Sequence, residues 1–99
     1  MINHVVLFKL KDYPEQEKRE IISEITSALM GLKDKIEELK YIEVGANYEL
    51  DSKNYDIALI SHFENLDDLE TYRVHPEHQK VVKLVGETAA SRAAVDFVF

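Results

Sequence analysis

Ile2-Asn3-His4-Val5-Val6-Leu7-Phe8-Lys9-Leu10 is the stretch that decides how this chain folds. Successive strand side chains point to opposite faces, so Ile2, His4, Val6, Phe8 and Leu10 share one side. The other side carries Val5 and Leu7 and ends in Lys9. A strand with apolar side chains on both faces needs cover on both. The same condition recurs over residues 55–64, where Ile57-Ala58-Leu59-Ile60 again makes both faces apolar.

Between these two strands, Asp12-Tyr13-Pro14 supplies a capping residue and a proline suited to a helix's first turn. Ile21, Ile22, Ile25, Ala28, Leu29 and Leu32 follow at helical spacing, which predicts a helix over about 14–31. Residues 40–48 predict a second strand, with Ile42, Val44, Ala46 and Tyr48 on one face and Tyr41 and Gly45 on the other. Residues 47–54 form the turn into the third strand at 55–64. Asn65 then caps a short helix carrying Leu66, Leu69 and Tyr72, with Asp67 and Asp68 at its positive end. That helix has to stop or kink before Pro76, because proline disfavours helical geometry in the residue before it. A new turn restarts there, with Val81, Val82, Leu84 and Val85 facing inward until Gly86. Residues 92–99 alternate Ala93, Val95, Phe97 and Phe99 against Ala94, Asp96 and Val98, and make the fourth strand.

The order is β-α-β-β-α-β with a broken second helix: an α+β, ferredoxin-like fold with a four-stranded antiparallel sheet, in one domain over residues 1–99. Two helices cover one face of such a sheet. Leaving the second face bare would expose an apolar patch above the roughly 300 to 600 Å² found on typical monomers. A second copy of the chain is therefore expected to cover it, giving a homodimer.

Composition narrows the partners. Twelve Lys and Arg against nineteen Asp and Glu leave a net charge of -7, which repels phosphate backbones and anionic lipid surfaces, so nucleic acid is not expected. The longest wholly apolar runs, Val5-Val6-Leu7-Phe8 and Ile57-Ala58-Leu59-Ile60, fall far short of the roughly 20 residues that cross a bilayer. The first residues lack the pattern of a secretory leader, so a cytoplasmic protein is expected. Without cysteine there are no disulfides, thiolate nucleophiles or Cys-based metal sites, and only oxygen and imidazole chemistry remains. Glycines 31, 45 and 86 stand alone, so no phosphate-cradling loop exists, and the serines lie in no nucleophile-elbow motif.

The chemistry-bearing cluster is Tyr72, His75, Pro76 and His78. Histidine is the side chain best matched to proton transfer near pH 7, and a tyrosine hydroxyl can donate to a carbonyl oxygen as it becomes an enolate. If Pro76 starts the final helix, His78 lies in its first turn, where the positive end of the helix favours the neutral ring while Glu77 pulls the other way. The kink could turn both side chains toward a pocket between helices and sheet. The competing reading packs Tyr72 on the core with its hydroxyl wet, makes His75 the cap of the final helix, and leaves His78 partly exposed. His4, on an apolar strand face, reads first as a core histidine with its hydrogen bonds satisfied, though facing the same cavity. His75-x-x-His78 is half of a zinc pattern, but the intervening proline and the lack of a third ligand argue against a metal. Glu37-Glu38 and Asp67-Asp68 read as solvated pairs.

The opening Asn3-His4-Val5-Val6-Leu7-Phe8-Lys9, the motif Tyr72-x-x-His75-Pro76-x-His78 and the closing Val95-Asp96-Phe97 resemble the stress-responsive dimeric α/β-barrel family, Dabb, over essentially the whole chain. The resemblance implies a ferredoxin-like monomer whose sheet packs on a partner's sheet, closing a barrel across the two-fold axis. Functionally that family is mixed: one plant member assembles into a stable ring, and olivetolic acid cyclase closes a linear polyketide by aldol condensation. This chain is similar to the cyclase at His4, Tyr72, His75, Pro76 and His78, which implies Tyr72 and His78 as the catalytic pair. It departs from it at Ile57, where the cyclase carries another histidine, so the polar constellation is thinner. The resemblance implies a small hydrophobic ligand in a pocket lined by His4, Val6, Ile57, Leu59 and His75, and cyclase-like or monooxygenase-like chemistry with no cofactor. The alternative is a non-catalytic, stress-associated assembly protein.

Overall fold

Burial alternates residue by residue along β1 (Ile2–Leu10): Ile2, His4, Val6, Phe8 and Leu10 are buried and the residues between them half-buried. The structure, a computed structural model, describes residues 1–50 and 53–99. The chain continues through α1 (Glu15–Met30), a 3₁₀ turn (Gly31–Asp34), β2 (Tyr41–Ala46), β3 (Ile57–Phe63), α2 (Leu66–Val74), α3 (Pro76–Thr88) and β4 (Ala89–Val98). The strands form one antiparallel sheet in the order β2-β3-β1-β4. This is the ferredoxin-like arrangement predicted from the sequence. Beyond the last ladder pair, the Phe99 amide donates to the Met1 carbonyl at 3.1 Å.

The helices pack on the face of the sheet that carries Ile2, Val6, Phe8 and Leu10. From α1 come Ile22, Ile25 and Leu29, from the turn Leu32, from α2 Leu69 and Tyr72, and from α3 Val81 and Val85. Each such aliphatic side chain stabilises the fold by about 1.5 to 3 kcal/mol when taken fully out of water. Truncating one that is fully enclosed, such as Ile25, costs about 2 to 5 kcal/mol because a cavity is left behind.

Several local details differ from the sequence reading. Asp12 does not cap α1: the N-cap is Pro14, and no side chain accepts from the first turn. Asp12 lies two residues too early for that role, and the Tyr13 amide bonds instead to the Lys11 carbonyl at 2.8 Å. β2 ends at Ala46, so Tyr48 is not a strand residue and is 90% exposed. Of the turn expected over 47–54, Asn47 donates to the Glu49 carbonyl at 2.7 Å, while Asp51 and Ser52 lie outside the described residues. α3 runs past Gly86 to Thr88, whose hydroxyl donates to the Leu84 and Val85 carbonyls. Gly86 has no positive φ and so gives no left-handed stop. β4 accordingly begins at Ala89, before Arg92, and Val82 is exposed rather than in the core, although it borders the space between α3 and the sheet.

The predicted helix break is where proline puts it. His75 is extended (φ -63, ψ 134), Pro76 opens α3, and the His75 Nδ1 accepts from the Glu77 amide at 3.1 Å. Asn65 caps α2 by accepting from the Asp68 amide at 2.9 Å.

No helix covers the other sheet face. The ladder sets Val5 beside Ile60 and Val95, Leu7 beside Ala58 and Ala93, and Asn3 beside His62 and Phe97. Val95 and Phe97 are exposed. On the same face His62 stacks on Tyr41 at 4.7 Å and meets Phe99 at a tilt, with centroids 4.6 Å apart. The Asn3 side-chain oxygen is buried there without a hydrogen-bond partner among the described residues.

Candidate functional site

A cavity of about 360 Å³ opens between α3 and the inner face of the sheet, within the size range of small-molecule pockets. His4, Val6, Phe8 and Leu59 form its floor, and Val81, Val82 and Val85 line the α3 side. The start of β4 makes the rim. There the β1–β4 register slips, Lys9 facing Ser91 and Leu10 facing Ala89, so that Ala90 has no ladder partner. Such a bulge bends the strand and re-aims the side chains that follow it. Arg73 and His78 enter from the helix break.

His78, third residue of α3, is half-buried on the cavity wall. Its Nδ1 lies 3.0 Å from the Arg73 carbonyl oxygen. A carbonyl can only accept, so Nδ1 carries the proton and the neutral ring keeps its lone pair on Nε2. Burial lowers the pKa of His78 below its ordinary 6.5, against the raising effect of that bond, and the charges of His4, Arg92 and Arg73 lower it further. The ring is therefore neutral at pH 7 and can accept a proton. Glu77 does not exert the opposing pull expected of it, because its carboxylate is held by Lys80 at 3.3 Å and Lys35 at 3.6 Å.

Tyr72 stacks on His78, with ring centroids 4.2 Å apart and planes 38° from parallel. It also packs on Phe63 at 4.9 Å and is fully buried. Its hydroxyl is not wet: it is buried and has no hydrogen-bond partner among the described residues. Burial raises its pKa to about 12, so it is a donor at any physiological pH. Tyr72 is not itself part of the cavity wall; it lies against His78, which is.

His4 is both satisfied and on the cavity wall. Its Nδ1 donates to a carboxylate oxygen of Asp96, across the β1–β4 ladder, and the other Asp96 oxygen accepts from Arg73 at 2.9 Å. The carboxylate raises the pKa of His4, but burial outweighs it and the net shift is downward. The His4 ring meets the Tyr72 ring edge-on at 6.4 Å. A carboxylate that fixes an imidazole by its Nδ1–H leaves Nε2 as the basic atom, the arrangement used to orient catalytic histidines.

The family model for the stress responsive A/B barrel domain, Dabb, matches residues 2–99. This chain belongs to the Dabb family. Within reach of this Dabb chain, an uncharacterised protein of Streptomyces coelicolor is 35% identical over 89 residues, covering 90% of this chain and 91% of that one. A crystal structure of a dimeric ferredoxin-like protein of unknown function from Bacteroides fragilis is 42% identical with a TM-score of 0.91, covering 99% of this chain and 95% of that one. A hydroxynitrile lyase from Passiflora edulis has a TM-score of 0.82 at 16% identity, covering 99% of this chain and 92% of that one, a likeness of fold alone.

Of the residues singled out in the Dabb sequence, His4, Val6, Leu59 and His78 meet on the cavity wall, and Tyr72 backs it. Two do not join them. His75 is turned to the start of α3 as its cap, and Ile57, buried in the core, borders a groove beside β2 instead. Asp96, Arg73 and Arg92 were not recognised as site residues from the sequence. The usable signal for Asp96 was an acidic residue that strand alternation places on the side of Ala94 and Val98, opposite His4 once strands one and four are paired.

Proposed function

We propose that this Dabb chain works as a homodimer whose subunits each bind a small hydrophobic carbonyl compound and move a proton on it without a cofactor. The observation that carries this reading is the stacked pair: a neutral imidazole with a free Nε2 on a cavity wall, against a buried tyrosine hydroxyl with no partner. His78 removes a proton from the carbon next to the carbonyl. Tyr72, whose hydroxyl lies behind the wall beside His78, donates to the carbonyl oxygen once the ligand reaches past His78. The resulting enolate carbon attacks a second carbonyl of the same molecule, whose oxygen takes the proton back from His78 as the ring closes. An unsatisfied buried hydroxyl is costly in a core, so a bound carbonyl oxygen as its missing acceptor gives it a reason to be there. The homodimer is supported by the bare apolar sheet face and by the dimeric Bacteroides relative.

The test is deuterium exchange in D₂O at the carbons flanking the carbonyl of 2-nonanone and of medium-chain β-diketones, followed by NMR. The wild type is expected to accelerate exchange, and His78→Ala to lose about 10² to 10⁴ of that acceleration. Equal exchange in wild type, His78→Ala and buffer would reject the catalytic reading and leave a non-catalytic assembly protein.

A further inference from the structure

The cavity is not merely apolar, because its polar wall residues are all neutral or cationic. They are His4, Arg73, His78, Ser91 and Arg92, with no carboxylate among them. This is unusual in a chain that carries nineteen acids against twelve bases. Arg73 is already engaged by Asp96 at 2.9 Å and Glu70 at 3.7 Å. Arg92 is different: it has no ion pair and no side-chain hydrogen bond among the described residues. The ladder places it opposite Phe8, on the helix-covered face of the sheet. Arg92 is exposed at the cavity rim, so its guanidinium is open to an incoming ligand. The Arg92 charge lies close enough to His4 and His78, both on the cavity wall, to contribute to their lowered pKa values.

We propose that Arg92 anchors a carboxylate, so that the ligands of this cavity are amphipathic acids whose apolar tail lies along Val6, Leu59, Val81 and Val85. The inference rests on the cavity being the ligand site, and it adds the chemical class of what enters. A planar guanidinium binds a carboxylate through two parallel hydrogen bonds, which fixes the orientation of the molecule as well as its affinity. With the acid held at the β4 rim, the tail and any carbonyl along it are directed toward His78.

The experiment compares octanoate with octanamide, which share length and tail but differ in charge, at pH 7.5 where both cavity histidines are neutral. Binding is followed through the NMR methyl shifts of Val81 and Val85, so that only ligand inside the cavity is counted. In the wild type octanoate should bind about five- to tenfold tighter than octanamide, a preference that shrinks in high salt. Arg92→Gln should bring the two ligands to equal affinity by weakening octanoate alone, and Arg92→Lys should keep part of the preference. Equal binding in the wild type, or a preference that survives Arg92→Gln, overturns the role of Arg92 while leaving the cavity as a ligand site. If neither ligand moves the Val81 and Val85 methyls, the cavity reading fails and this one with it.

Discussion

His78 rests its ring on that of Tyr72 at 4.2 Å, yet the two residues settle their polar atoms in opposite ways. The imidazole is anchored through Nδ1 to the Arg73 carbonyl, whereas the phenol hydroxyl is buried with no partner among the described residues. One side of the contact is positioned and the other is left unsatisfied. That asymmetry separates what the pair does for stability from what it does for chemistry.

Tyr72→Phe should therefore make the ligand-free protein more stable while reducing proton transfer. The substitution keeps the packing on Phe63 and His78 and removes a hydroxyl whose burial is uncompensated. The expected gain is about 1 kcal/mol, or roughly 4 to 8 °C in Tm for a chain of this size. Calorimetry and the deuterium-exchange assay on the same preparations check it. A drop in Tm would mean that the hydroxyl has a stabilising partner after all.

The pH dependence follows from the histidines. Both His78 and His4 have folded-state pKa values below the ordinary 6.5, so in that window the unfolded chain binds more protons than the folded one. Stability due to these groups is complete above about pH 6.5 and is lost as pH falls through the window toward the folded-state values. Urea unfolding at pH 7.5 and 5.5 should show this loss, with a smaller loss in His78→Ala. The rate of proton abstraction should fall only below the folded-state pKa of His78, which lies under 6.5, because there the base becomes protonated.

Asp96→Asn tests the oriented histidine. The carboxylate is the group that raises the pKa of His4 against burial, so its removal should lower that pKa further and leave Arg73 paired with Glu70 alone among the described residues. NMR titration should show the His4 resonance shifted down relative to the wild type. A His4 resonance that does not move would mean that Asp96 does not hold it in solution.

Ile60→Glu places a charge in the middle of the bare sheet face, next to Val5. If a second copy covers that face, burying an unpaired carboxylate costs several kcal/mol, on the order of 3 or more. Sedimentation equilibrium should find a dimer for the wild type and a monomer, or an unfolded chain, for the variant. Unchanged self-association would place the interface elsewhere.

Strand and helix order was legible because β1 and β3 carry two apolar faces, Asn65 is a strong cap, and Pro76 breaks a helix wherever it stands. Tyr72 and His78 could be found for a local reason: six residues apart across that break, they are set by the short chain between them. Asp96 and Arg92 could not be found the same way. Their place in the site depends on the β1–β4 register and on a one-residue slip at Ala90, which alternation along one strand does not encode. α3 runs past Gly86, where the apolar spacing stops, because nothing in the backbone ends it there, and it continues until Thr88 turns its hydroxyl back onto the last carbonyls.

The pairing of β1 with β4 has a consequence for how the protein is made. His4 and Asp96, joined across that ladder, are separated by 92 positions in the chain, among the longest loops this sequence can close. During synthesis the first strand leaves the ribosome long before its neighbour exists, with apolar side chains on both faces and one edge unpaired. The central strand must wait, protected only by β3 and the helices, until the segment around Asp96 emerges. The site and the last edge of the sheet are then completed in one late step, so folding should be slow for the size of the domain and most vulnerable to aggregation just before it ends.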